Sequence, residues 1–124
     1  MTKQQKHEIE KWVNYWKEKL FLHGWGITVN YCENKKEGSE CVAECIPNFI
    51  YREAIINIYP HLNEDTGLSI KNTILHEMVH IILDPYKQLF DDLYTGKLVS
   101  TREEVSICEA TTAWIQQIIS NIEK

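Results

Sequence analysis

Residues 73–83 read TILHEMVHIIL, and no other stretch limits so sharply what this chain can fold into. Two histidines and a glutamate, His76, Glu77 and His80, sit inside an apolar run. Burying ionisable groups costs free energy unless something pairs with them. Placed on a helix at 100° per residue, Leu75, Met78, Val79 and Ile82 cluster on one side, extended by Ile74 and Ile81. Thr73, His76, Glu77, His80 and Asp84 gather on the other. Such a stripe on a buried helix faces water, a polar partner or a site.

The surrounding chain supplies a setting for that helix. Residues 4–22 form an amphipathic pattern in which Ile9, Trp12, Val13, Trp16 and Leu20 recur at helical spacing. Its tryptophans read as core anchors. The HGWG segment then breaks the helix. Residues 27–32 and 40–46 read as strands around the turn-like segment 33–39, and 51–59 is a third strand ending at Pro60. Residues 61–67 are a loop. The next helix is expected from near Ser69 to Leu83 and is stopped by Pro85, because a proline pushes its predecessor out of the helical region. Residues 84–99 then form a mixed loop with at most one helical turn, and a last helix runs from Ser100 or Thr101 to about Ile122. The order predicts a single α+β domain over residues 1–124, with helices packed on a small three-stranded sheet.

Composition narrows the function classes. At 124 residues and 44% hydrophobic content, the chain can bury a core without disulfides. The formal net charge is −5 and no Lys/Arg block exceeds a pair. Nucleic acid and anionic membranes, which need a basic surface, are not expected partners. The opening MTKQQKHEIE carries no apolar h-region and no apolar run approaches membrane-spanning length, so the expectation is a cytoplasmic chain. Cys32, Cys41, Cys45 and Cys108 form no C-x-x-C pair and read as buried thiols acting as small hydrophobes. On one strand, Cys41 and Cys45 would lie roughly 13 Å apart, too far to bridge.

His76 and His80 are four residues apart, so their rings leave one helix face about one turn, roughly 6 Å, apart along the axis. Two imidazoles so placed can converge on one metal ion. Glu77 cannot easily join them, but it can reach a water held there and take its proton as general base. This is the H-E-x-x-H pattern, read here as His76-Glu77-Met78-Val79-His80. Asp84 cannot be a third ligand from the same straight helix, since it lies roughly 12 Å along the axis from His76. It reads as a supporting partner of the ligands or a helix-end residue.

The motif and the helix–strand order around it resemble the zincin metallopeptidases. The resemblance implies an active-site helix beneath a small twisted sheet, with an extended peptide or protein substrate along an edge strand. Residues 40–46 are the expected edge, with 51–59 central between them and 27–32; a simple meander is the rival order. The metzincin branch asks for a glycine and a histidine where this chain has Leu83 and Tyr86, and no further histidine follows His80. The gluzincin branch instead draws a glutamate from the following helix, which implies zinc as cofactor and a downstream carboxylate as third ligand. The donor at the reaction's developing oxyanion is left open among His61, Tyr86 and Tyr94.

Glu103, Glu104 and Glu109 are the carboxylates of the last helix. Its apolar stripe is Val105, Cys108, Ile115, Ile119 and Ile122, broadened by Ile107, Trp114 and Ile118, and is expected to face the core. Glu104 projects near the middle of that stripe, whereas Glu103 and Glu109 fall to either side. Glu104 can instead cap the helix with Thr101, but Ser100 and Glu103 form an equally good box and would leave Glu104 free. Zinc held by His76, His80 and Glu104, with Glu77 as base, is therefore the expected site of a zinc-dependent peptidase. The alternatives are a zincin-like regulatory or interaction module with little peptidase activity, and a metal-free helical interaction protein. Metal content separates the last from the others, and a peptidase assay against Glu77→Gln separates the first two.

Overall fold

The computed structural model describes residues 2–35, 41–62, 70–97 and 100–122. The expected helix start at Ser69, Glu40, and parts of the segments 33–39 and 61–67 lie outside the described residues. The elements run α1 (Lys3–Lys19), β1 (Gly26–Tyr31), β2 (Ala43–Asn48), β3 (Glu53–Ile58), α2 (Ile70–Tyr94) and α3 (Thr101–Ile122). This is the expected α+β arrangement of three helices and a three-stranded mixed sheet.

Local chemistry sets the boundaries. Thr2 caps α1 through a reciprocal box, Gln5 N–H to Thr2 Oγ1 at 3.2 Å and Thr2 N–H to Gln5 Oε1 at 2.8 Å. α1 ends earlier than the expected residue 22. Phe21 adopts φ 60°, and the Leu22 and Phe21 N–H groups return to the carbonyls of Lys17 and Glu18 at 2.8 and 3.2 Å. That left-handed turn stops the helix before the glycines do.

The sheet order is β1-β3-β2, with β1 parallel and β2 antiparallel to β3. The third strand is thus central and the second is an edge, as expected, and the meander is excluded. β2 lies further along the chain than residues 40–46, ending at Asn48 and including Pro47. An edge strand tolerates a proline because one side of it needs no ladder donor. A short hairpin joins β2 to β3, with Arg52 at φ 52° and Tyr51 N–H donating to Asn48 Oδ1 at 3.3 Å. Ala54, Ile56 and Ile58 of β3 point inward, while Ile55 points out beside its cross-strand partner Ile46.

α1 and α2 pack together, and α2 also packs against β2. Ile9 and Val13 of α1, Ile56 and Ile58 of β3, and Ile74, Met78 and Ile81 of α2 form the centre of the core. Trp12 and Trp16 pack on its margin, and Trp16 Nε1 donates to the Lys71 carbonyl at 3.0 Å.

Two expectations about the helices are corrected. Pro85 does not stop α2, which continues through it to Tyr94, so the mixed loop at 84–99 is mostly helix. An interior proline removes one backbone donor and crowds the preceding turn, at about 3 kcal/mol. Here Pro85 is buried with Ile81, Ile82 and Asp84, and the Asp84 carboxyl lies near the Phe49 backbone and the Gln88 side chain, which partly offset its desolvation. Tertiary burial of Pro85 and of the turn that leads into it carries the helix past the proline.

The second correction is the phase of α3. Val105, Ile115, Ile119 and Ile122, the expected core stripe, are 44–60% exposed, and Cys108 is exposed too. The packed face is Ile107, Thr111, Trp114, Ile118 and Asn121. Trp114 Nε1 donates to the Leu20 carbonyl at 2.9 Å and Asn121 Nδ2 to the Glu18 carbonyl at 2.9 Å. Both carbonyls belong to the C-terminal end of α1, where backbone acceptors lack regular helical partners and Glu18 is met otherwise by the turn N–H of Phe21. Satisfying them turns this face of α3 inward. Its start is capped by Ser100, whose Oγ accepts from Glu103 N–H at 3.1 Å.

Candidate metal centre

The polar stripe of α2 divides in two. Thr73, Glu77 and Asp84 are buried, the last two facing β2, whereas His76 and His80 are exposed. Their rings meet edge to face with centroids 5.1 Å apart. One candidate ligand atom from each of His76, Glu77 and His80 lies within 4.8 Å of the others. Glu77 Oε1 is 3.8 Å from His76 Nε2, with the glutamate side chain 8% exposed and the histidine side chain 72% exposed. Nothing in the fold has to move far for the two imidazoles to share an ion, and the carboxylate lies behind them.

These residues line a cleft of about 310 Å³ between α2 and the edge strand. Ala43, Glu44, Cys45 and Pro47 form its strand wall, and Leu83, Asp84 and Lys87 continue the helix wall. On the other side of the histidines, Leu75, Val79 and Leu83 line an apolar depression. Among the described residues β2 is an edge strand, and it runs beside the histidine pair with an apolar recess next to it.

The environment sets the protonation states. Burial, reinforced by Glu44, pushes the Glu77 carboxyl above the ordinary carboxylate range, and His76 partly opposes the shift. A carboxylate with raised proton affinity is a better base than a solvated one. Desolvation, with His76 and Lys87 adding repulsion, lowers His80 and favours the neutral imidazole that a metal requires. The Cys45 thiol is held protonated at about 12 by burial and by the nearby Glu77 and Asp84.

The nominated Glu104 does not join the group. It is exposed in the first turn of α3, and among the described residues no carboxylate from α3 approaches the two imidazoles and Glu77 within ligand distance of one another. Asp84 lines the cleft outside the histidine group, buried where α2 packs against β2, which makes it a strut between α2 and the sheet. None of the three nominated oxyanion donors lines the cleft. His61 is buried next to Tyr59, the Tyr86 hydroxyl lies towards Cys108 and Thr111 of α3, and Tyr94 is almost wholly exposed at the end of α2.

Sequence reasoning set the edge strand 40–46 beside the histidine helix but did not single out Glu44, Cys45, Pro47 or Lys87 as cleft residues. The signal for Lys87 was present, since it lies seven residues from His80 and two helical turns keep one face. The premature stop at Pro85 hid it. Glu44 and Cys45 carried no local signal, because only the antiparallel return of β2 along β3 sets them opposite α2.

The donor set fits a zinc ion in part. Two imidazoles on one helical turn, with a carboxylate behind them and an open exposed side, could hold a metal ion that keeps room for water. Among the described residues, no helix is long and apolar enough to cross a membrane. Comparison of the chain with protein-family models, curated proteins and solved structures finds no match.

Proposed function

We propose that this protein is a metal-dependent peptidase of zincin type that hydrolyses an extended peptide lying along β2. The observation that carries the reading is the convergence of His76, Glu77 and His80 within 4.8 Å at the mouth of a strand-walled cleft. His76 and His80 would hold the metal, which supplies Lewis-acid polarisation and an acidified water when bound. Glu77 accepts the proton of the attacking water and returns it to the leaving amine. Its partial desolvation raises its affinity for that proton. As an edge strand among the described residues, β2 offers backbone groups to a peptide in extended form, and Leu75, Val79 and Leu83 offer an apolar recess for one of its side chains. Lys87, at the cleft wall, is the cation best placed to meet a substrate carboxylate or a developing oxyanion. An intact carboxylate beside two open imidazoles favours catalysis over a structural metal, which needs no base.

The test is metal content followed by hydrolysis. The purified chain should bind about one zinc, and His76→Ala or His80→Ala should remove it. Glu77→Gln should retain zinc and lose cleavage of a mixed peptide library. Full zinc content in both histidine variants, or cleavage by Glu77→Gln at the wild-type rate, refutes the assignment.

A further inference from the structure

Along α3 the outward positions Val105, Cys108, Thr112, Ile115, Ile119 and Ile122 alternate in steps of three and four residues. That is the spacing of a helix–helix seam, maintained over five turns. All six are exposed. The hydrogen bonds from Trp114 and Asn121 to the end of α1 lock the helix with this seam outward. From Ala110 to Ile122 the helix contains no charged residue, although a quarter of the whole chain is charged. A solvated helix face normally carries charges, and their depletion around an apolar stripe is the mark of an interface centre.

We infer that α3 is the interface of a homodimer in which the α3 seams of two copies pack antiparallel. The surface is self-complementary. About a two-fold axis near the middle of the helix, Val105 meets Ile122 of the second copy, Cys108 meets Ile119, and Thr112 meets Ile115. Charge chooses the direction. A parallel pair sets Glu104 against Glu109 of the other copy, whereas the antiparallel pair places Glu109 near Gln116. An uncharged seam gives a strongly charged partner nothing to pair with, and it lacks the lysines and arginines of a helix that lies on anionic lipid. The seam with its flanking positions can remove roughly 1,200 Å² from water over both copies, at the lower end of specific interfaces. This inference stands apart from the metal reading, because none of the six seam positions lines the histidine cleft.

Sedimentation of the whole metal-free chain tests it. The expected result is a twofold mass at about 100 µM that falls towards the single-chain mass on dilution. Ile115→Glu and Ile119→Glu should each give the single-chain mass at every concentration while keeping the wild-type circular dichroism spectrum, since both side chains are exposed within one chain. A wild type that sediments as one chain throughout overturns the inference. So does a dimer that survives both substitutions, which would place the contact elsewhere. Direction is read by oxidation in a Cys108→Ser background. Chains with Thr112→Cys mixed with chains with Ile115→Cys should form the mixed disulfide in preference to either like pair. Predominant like pairs would overturn the antiparallel register.

Discussion

The phase of α3 decides whether Glu104 can share a wall with the histidines, and two adjacent isoleucines measure it. Ile118 is 8% exposed and belongs to the core cluster, whereas Ile119 is 52% exposed. Truncating a buried isoleucine to alanine removes apolar burial and leaves a cavity, typically about 2–5 kcal/mol. Ile118 lies near the end of α3, which among the described elements packs mainly on α1 and α2, so about 2–3 kcal/mol is the appropriate part of that range. The higher helix propensity of alanine returns only a few tenths of a kcal/mol. In a domain of this size, Ile118→Ala should lower the melting temperature by roughly 8–12 °C. At Ile119 the lost burial is about half as large and the propensity gain offsets part of it, so Ile119→Ala should stay within about 0.5 kcal/mol of wild type. Urea unfolding of the metal-free chain, followed by its four tryptophans at submicromolar concentration, keeps any dimer dissociated. Glu104→Ala should then leave zinc content unchanged. If Ile119→Ala proves the costlier substitution, the stripe containing Glu104 faces the core and the orientation of α3 described above is refuted.

In the metal-free protein, Glu77→Gln should raise the melting temperature at pH 7. The fold raises this carboxyl's proton affinity, so its unfavourable contribution is absent below the ordinary value of 4.5 and grows as pH rises through the folded value. The advantage of Gln should therefore vanish in acid, and an advantage that persists unchanged at pH 3 contradicts the burial argument. Burial raises the proton affinity of Asp84 as well, so Asp84→Asn should cost no stability at pH 7 and should leave zinc content unchanged. Loss of zinc in Asp84→Asn would make Asp84 a ligand rather than a strut.

What the sequence discloses and what it conceals follow one physical division. The spacing of His76, Glu77 and His80 is a property of a single helix, and 3.6 residues per turn bring those groups together whatever surrounds them. The strand alternation of β3 is equally local, since Ala54, Ile56 and Ile58 share a face by pleating alone. α3 is different because it carries two apolar stripes about 100° apart, one through Ile107, Trp114 and Ile118 and one through Val105, Ile115 and Ile119. A helical wheel ranks both as core. The choice falls to the Leu20 and Glu18 carbonyls at the end of α1, about a hundred residues away in sequence, which draw in Trp114 and Asn121. Pro85 repeats the lesson on α2. The rule that it ends a helix is a statement about an isolated backbone, and here the burial of Ile81, Ile82, Asp84 and Pro85 itself outweighs it. The two misreadings have one consequence for the site. Ending α2 early removed Lys87 from view, and turning α3 the wrong way put Glu104 in its place as the charged group expected near the histidines. With both helices placed, the charged residues that line the cleft beside the H-E-x-x-H motif come from β2 and the continuation of α2, namely Glu44, Asp84 and Lys87.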